Sequence, residues 1–331
     1  MAPRQSSQGR SNSPSQRERE LGKICMAVLE RTYKAYAGAL SPEWRRFLII
    51  PRHAYRDIFH SKIFTGFFVV SFVWPLVCAI LIYLHYNTTA LTIIKLQVRD
   101  LLDIDASFFE YWLVVPQCLV GFFLAMLVGP QQVSRDLSNN ALPLYLCRPF
   151  SRTEYVVGKM SIVIILLSAM TWVPTLLLFL FQSYLEGWSW FSENIWIASA
   201  IFLGCLVWIL LLALMTQAIS AWVKWRVAAR AALLGVFFIP SAFAAVVNEI
   251  FETHWGHIFD LSSLMKNVWA GLFGTFVQQT GEIREMRNGV IVRQVLMNEP
   301  PLWASWFMLF LICAFCLWLL SRKVKAYEVV K

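Results

Sequence analysis

Four metal-ligating side chains fall within nine residues near the end of this 331-residue chain. His254 and His257 lie about one helical turn apart, and Glu249 and Glu252 precede them. Imidazole and carboxylate groups at such spacing can bind a transition metal. Short clusters of this kind at helix ends more often supply polarity at a membrane interface. We favour the interfacial interpretation and expect no metal.

The other candidates for chemistry are weaker still. Cys313 and Cys316 have CxxC spacing, but they lie in an apolar stretch, which favours packing of small side chains over redox or metal chemistry. The sequence contains no GxxxxGK[ST] phosphate loop, no HExxH and no GxSxG. We therefore expect no catalytic residue and no cofactor, and we do not expect an enzyme.

The segment Gly129–Met160 is the stretch most informative about function. It is polar and lies between two long apolar runs. Residues of one helical face recur there: Leu137, Ala141, Leu144, Tyr145 and Arg148. Pro149 should end this short amphipathic helix, and Ser151 and Glu154 have the spacing of a capping box. Such a helix suits docking into a groove on a soluble protein.

Membrane spans must position this segment. Hydrophobic residues make up 58% of the chain and charged residues only 15%, too few to cover a soluble domain. Six apolar runs are long enough to cross ~30 Å of hydrocarbon as helices. They are Ile63–Tyr83, Tyr111–Gly129, Val156–Phe181, Ile195–Ile219, Ala228–Val247 and Leu302–Leu320. We predict an all-α, polytopic membrane protein with about six transmembrane helices.

The charges orient these spans. If the N-terminus is cytoplasmic, the inner segments hold 23 of the 29 Lys and Arg residues but only 8 of the 20 Asp and Glu residues. This positive-inside distribution predicts that both termini are cytoplasmic, an N-in/C-in topology. The net charge of +9 then reflects orientation and contact with anionic membrane lipids, and we expect no nucleic-acid partner.

Four parts follow along the chain: a disordered tail over 1–20, amphipathic cytoplasmic or interfacial helices over 21–62, a transmembrane domain over 63–320, and a cytoplasmic tail over 321–331. The transmembrane domain includes a polar loop over 130–155 and an outer loop over 248–301. In the outer loop, Asp260 should cap a helix that lies on or dips into the outer leaflet. Residues 282–296 fit a hairpin about Asn288 and Gly289.

Away from their cytoplasmic ends, the spans hold no Asp, Glu, Lys or Arg. This argues against ion pumps, proton-coupled carriers and voltage sensors, and favours apolar or amphipathic cargo or motion powered from outside the membrane. Prolines and polar side chains within the spans are the candidates for a path or a hinge: Pro116, Gln117, Thr171, Pro174, Gln217 and Pro240. Static kinks and interhelical hydrogen bonds explain them at least as well.

The polar loop carries four short motifs in a fixed order: SRDL over Ser134–Leu137, NALPLYL over Asn140–Leu146, RPFSR over Arg148–Arg152, and YVVGK over Tyr155–Lys159. This order resembles the loop of ABC-2 type exporter permeases. The part from Arg148 to Lys159 is the most specific, and the six-span layout extends the resemblance over most of the chain. Cys147 stands where a small residue is commoner in that family.

The resemblance implies that the chain is the membrane subunit of a bacterial ABC exporter in the cytoplasmic (inner) membrane. A separate cytoplasmic ATPase would bind ATP and Mg²⁺ and would contact residues 130–155 as a coupling loop with a cytoplasmic coupling helix. A second permease copy, identical or related, would complete the unit. The residues assigned to coupling are Arg135, Asp136, Leu142, Leu146, Arg148, Pro149, Arg152 and Lys159.

Within that set, Arg135 and Asp136 would fix orientation by charge pairing, and Leu142 and Leu146 would supply a buried contact. Arg152 and Lys159 would anchor the loop at the anionic leaflet. A membrane scaffold or assembly factor tethered to an ATPase is the alternative, favoured by the long outer loop. An intramembrane enzyme is third, because the spans lack ionisable groups. The cargo and the direction of transport stay open.

Overall fold

The computed structural model describes residues 49–87, 103–138, 152–223, 225–251, 253, 255–276, 282–287, 290–295 and 300–323. All of these residues belong to one compact unit, Pro42–Lys331. The expected disordered tail over 1–20, the amphipathic region before residue 49 and the end of the chain after residue 323 lie outside the described residues.

The six predicted spans are confirmed as helices long and apolar enough to cross a membrane. They cover Lys62–Tyr86, Phe108–Ser134, Thr153–Glu186, Trp188–Trp222, Arg226–Phe251 and Leu302–Arg322. Helices satisfy every backbone hydrogen bond within one segment, as hydrocarbon requires. The chain is therefore an all-α, multi-pass membrane protein.

In chain order the helices are α1 (Ile49–Phe59), α2 (Lys62–Val70), α3 (Val73–Tyr86), a π-helix (Phe108–Val114), α4 (Val115–Ser138), α5 (Arg152–Met170), α6 (Trp172–Glu186), α7 (Trp188–Trp222), α8 (Arg226–Phe251), a 3₁₀ turn (Trp255–Ile258), α9 (Leu261–Phe273) and α10 (Leu302–Lys323). The first and third spans are each divided in two. The second halves, α3 and α6, carry Pro75 and Pro174 as their third residues. Proline has no N–H to continue the ladder of the preceding helix, so each span breaks there.

Pro130 does not end the second span, contrary to the prediction that this span stops at Gly129. Helix α4 continues through Pro130 to Ser138. The hydroxyl groups of Ser134 and Ser220 both donate to the carbonyl of Pro130, at 2.6 and 2.8 Å. These side-chain bonds add donors to the carbonyl of Pro130, in the turn that follows the proline; the donor that Pro130 lacks would have bonded to the carbonyl of Met126.

Helices α4 and α7 form the centre of the bundle. A Cβ atom added at Gly129 would lie 2.5 Å from the Cβ of Thr216, so a glycine is needed for this close approach. The indole of Trp208 donates to the carbonyl of Cys118 at 3.0 Å and ties the same two helices. The outer helices α8 and α10 instead expose large apolar side chains, such as Ile239 and Phe310, as lipid-facing helices do.

The second span begins at Phe108, three residues before the predicted start, and so contains Glu110. Its side chain is 1% exposed and accepts a hydrogen bond from the hydroxyl of Thr275, which follows α9. A buried carboxyl group requires such a partner. The prediction that the spans hold no ionisable side chain away from their cytoplasmic ends is therefore wrong at Glu110.

Helix α9 confirms the predicted cap, because the Asp260 carboxylate accepts from the backbone N–H of Ser262 at 3.0 Å. We expected its apolar stripe to face lipid, but the stripe is buried against the bundle. The indole of Trp269 donates to the carbonyl of Gly204 at 3.2 Å, and the side chain of Asn267 donates to Ser305 Oγ of α10 at 2.8 Å. An amphipathic pattern alone is compatible with lipid contact. Here, hydrogen bonds from α9 to α7 and α10 hold the helix against the spans.

The predicted hairpin is present. Strand β1 (Glu282–Arg287) pairs antiparallel with β2 (Val290–Val295), and Arg287 lies opposite Val290. Residues 288 and 289 lie outside the described part of the chain.

Helix α1 precedes the first span and packs on α5. The hydroxyl of Tyr55 donates to the carbonyl of Ile162 at 2.9 Å. Burial raises the pKa of Tyr55 above its ordinary value.

Candidate functional site

The end of α4 and the start of α5 are joined through one carboxylate. Asp136 Oδ2 accepts a hydrogen bond from the Tyr155 hydroxyl at 2.8 Å and forms an ion pair with Lys159 Nζ at 2.9 Å. The Lys159 ammonium also lies 5.8 Å from the centre of the Tyr155 ring, within the range of a cation–π contact. We call these three residues the Asp136 cluster.

The Asp136 cluster is largely removed from solvent. Tyr155 is fully buried, and the side chains of Lys159 and Asp136 are only 9% and 13% exposed. An unpaired charge in such surroundings is costly, so the ammonium and the carboxylate depend on each other. The two helices that flank residues 139–151 therefore form one joined support.

Helix α7 makes hydrogen bonds to both α4 and α5 close to the Asp136 cluster. The side chain of Gln217 donates to the carbonyl of Lys159 at 3.2 Å. The hydroxyl of Ser220 accepts from the N–H groups of Val133 and Ser134 at 3.1 and 2.8 Å while it donates to Pro130. One donor proton and two lone pairs are all used, which is the full capacity of a hydroxyl group.

The structure brings together only part of the residue set predicted for coupling. Asp136 and Lys159 contact each other, a pairing that their spacing in sequence did not indicate. The backbones of Arg135 and Arg152 lie in α4 and α5, but their side chains fall outside the described part of the chain. The remaining coupling residues also lie outside it: Leu142, Leu146, Arg148 and Pro149.

Two of the hinge candidates, Pro116 and Gln117, belong to a reciprocal contact between the first two spans. Pro75 leaves the carbonyl of Ser71 without its helical donor, and Gln117 Nε2 donates to that oxygen at 3.3 Å. Pro116 leaves the carbonyl of Trp112 free in the same way, and the indole of Trp74 donates to it at 2.5 Å. Each kink thus supplies the donor that the other requires.

The other hinge candidates are spread over the bundle. The hydroxyl of Thr171 donates to the carbonyl of Leu167 at the break between α5 and α6, and Pro174 follows in α6. Pro240 lies within α8, and Gln217 belongs to the support of the Asp136 cluster. Both glutamines make hydrogen bonds to another helix, Gln117 to the carbonyl of Ser71 and Gln217 to the carbonyl of Lys159.

Tyr155 and Ser220 are the residues that the sequence did not single out. Tyr155 stands in the YVVGK motif, which was the available signal, whereas Ser220 has no sequence signal because its partners are 86 to 90 residues away. Within the described part of the chain, no three His, Cys, Asp or Glu side chains come together at a metal-binding distance. Of the four candidate metal ligands near His254, Glu252 and His254 itself fall outside that part.

No protein-family model matches this sequence, and a search of curated proteins finds no match. Any family assignment therefore depends on the motifs of the coupling loop and on the six-span layout.

Proposed function

We propose that this chain is the membrane subunit of an ABC-2 type exporter in a bacterial cytoplasmic membrane, driven by ATP that a separate ATPase subunit hydrolyses. The observation that carries the proposal is the Asp136 cluster. It joins the two helices that flank the loop with the permease-like motifs, so that a force applied to the loop reaches both helices together.

In this function the chain performs mechanical work and no chemistry of its own. Closure of the ATPase pair pushes on the coupling loop from the cytoplasm. The ion pair between Asp136 and Lys159 transmits the displacement to α4 and α5, and Gln217 and Ser220 pass it to α7 as a rigid-body motion. A path for cargo opens between this bundle and that of a second permease copy.

Purification of the tagged full chain from its native membrane in a mild detergent tests the proposal. We expect a soluble ATPase in stoichiometric amount, identified by mass spectrometry. Leu146→Asp and Arg148→Glu should each reduce its recovery at least tenfold, because they remove the apolar contact and reverse a charge on the loop. Arg322→Glu makes the same charge reversal at the end of α10 and serves as the matched control. Equal recovery with Arg148→Glu and Arg322→Glu would show that the loop is not the docking site.

A membrane scaffold or assembly factor is the second candidate function. The observation that favours it is the folded outer segment, in which α9 and the β1–β2 hairpin precede the last span. ATPase activity of the complex in proteoliposomes distinguishes the two functions. Stimulation of hydrolysis by a transported amphipathic compound supports the exporter, whereas stimulation only by an envelope protein supports the scaffold.

A further inference from the structure

A cavity of about 920 Å³ lies between helices α1 and α2 on one side and the ends of α4, α5 and α8 on the other. Its volume falls within the range of pockets that bind small molecules and cofactors. The cavity is formed by this chain alone, and a ligand could bind there without an ATPase partner.

About half of the wall is apolar, and the other half is polar or charged. Side chains of α1, α2 and α4 supply the apolar half: Ile50, Ala54, Ile58, Ile63, Phe64, Leu127 and Val128. Leu127 and Asp136, which both line the cavity, are nine residues apart on α4, so the cavity extends over roughly 13 Å of helix. A ligand that fills it must therefore be elongated, with an apolar part beside Leu127 and Val128 and a polar part beside Gln132 and Asp136.

Charged groups gather in the remaining wall, and cations outnumber anions. Arg56, Lys159 and Arg230 line the cavity together with two carboxylates, Asp57 and Asp136. The Asp136 carboxylate is already held by Lys159 at 2.9 Å. The excess positive charge favours an acidic ligand.

Arg230 is the group best placed to bind that ligand. Its Nη2 donates to the carbonyl of Leu127 at 3.3 Å, which holds the guanidinium against α4 at the cavity wall. Its Nε is buried and has no hydrogen-bond partner among the described residues. A guanidinium group has five N–H donors in a planar fork that matches two oxygens of a phosphate. The Arg230 side chain as a whole is half-buried, and a phosphate would supply the partner that its buried Nε lacks.

We propose that this cavity binds an anionic phospholipid. The phosphate accepts hydrogen bonds from Arg230, Arg56 on the opposite wall adds a second positive charge, and an acyl chain lies along the apolar side chains of α1, α2 and α4. The lipid thereby fills the space between the amphipathic helix α1 and the bundle.

Native mass spectrometry of the full chain, purified with phosphatidylglycerol and then with phosphatidylcholine, tests this site. We expect the wild type to retain one phosphatidylglycerol at least tenfold more often than one phosphatidylcholine. Arg230→Gln should abolish this preference, whereas Arg226→Gln, an exposed arginine one turn earlier on α8, should retain it. An unchanged preference in Arg230→Gln would overturn the proposal.

Two further arms complete the test. Millimolar inorganic phosphate should not displace the lipid, because it lacks the apolar part; complete displacement would mean that the site binds free phosphate, and would overturn the assignment to a lipid.

If Arg230→Gln does not fold, Arg56→Gln replaces it, since Arg56 is exposed on α1. We expect a roughly threefold loss of preference in Arg56→Gln, and no loss would contradict the site.

Discussion

The π-helix and α4 together hold an acidic side chain near each end, with Glu110 buried and Asp136 largely removed from solvent, and the two side chains are secured in different ways. At one end, Asp136 is paired with Lys159 and Tyr155, which come from the next helix along the chain. At the other end, Glu110 accepts from Thr275, a residue 165 positions away. The first arrangement pairs two charges over a short loop, and the second links a carboxyl group to a neutral hydroxyl across the fold.

This difference assigns the two ends different roles. The ion pair of the Asp136 cluster joins α4 and α5, which in the proposed function move together when the ATPase contacts residues 139–151. The bond between Glu110 and Thr275 instead closes the bundle, because it connects the second span to the segment that precedes the last span. Three substitutions test this contrast, and each is expected to destabilise the protein less than the one before it.

Lys159→Met should cause the largest loss of stability. It leaves the Asp136 carboxylate as an unpaired buried charge, and we expect the free energy of unfolding to fall by about 3–5 kcal/mol. Thermal or denaturant unfolding of the purified chain in detergent measures the loss. Lys266→Met, at an exposed position on α9, is the matched control and should change the stability by less than about 0.5 kcal/mol.

The double variant Asp136→Asn/Lys159→Met sharpens this prediction. Because neither charge remains, we expect it to be more stable than Lys159→Met alone. If the single lysine variants at positions 159 and 266 unfold alike, the ion pair does not hold α4 and α5 together.

Thr275→Val should have an intermediate effect at the opposite end. It removes the hydroxyl that donates to Glu110 and keeps the shape of the side chain, so we expect a loss of about 1.5–3 kcal/mol. Thr275→Ser retains the hydroxyl and is the control. Hydrogen exchange should locate the loss in α9 and the π-helix; a loss that appears first in α5 would contradict the separation of the two ends.

Ser220→Ala should have the smallest effect. It deprives the N–H groups of Val133 and Ser134 of their acceptor, but hydrogen bonds between membrane helices contribute only about 0.6–1.7 kcal/mol. Ser199→Ala changes an exposed serine on the same helix and should be neutral. If Ser220→Ala lowered the free energy of unfolding as much as Lys159→Met, then the hydrogen bonds from α7, and not the ion pair, would be the main support of the cluster.

The sequence predicts the elements that depend on local pattern. The six spans, the Asp260 cap and the hairpin all follow from hydropathy, capping chemistry and turn residues, which act over a few positions. The continuation of α4 past Pro130 was not predictable in this way, because a serine 90 residues away supplies one of its stabilising bonds. The same holds for Glu110, which lies one residue outside the predicted span.

In the candidate site, too, local pattern predicts individual residues but not the contacts between them. Asp136 and Lys159 stand out because they belong to recognisable motifs, but their mutual contact depends on how α4 and α5 lie together. The sequence marks Pro116 and Gln117 as candidates for a path or a hinge, but it does not show that the donors to the two proline kinks come from opposite spans. Pairings between spans require a tertiary arrangement that periodicity does not encode.

Gly187 makes the direct connection between the third and fourth spans possible. It is the single residue between α6 and α7, and its φ of 105° and ψ of 178° are strained for any residue with a Cβ. A substitution that adds a Cβ at this position therefore disfavours the one-residue connection, although the neighbouring Trp188 and Tyr184 are both exposed and leave space for a side chain.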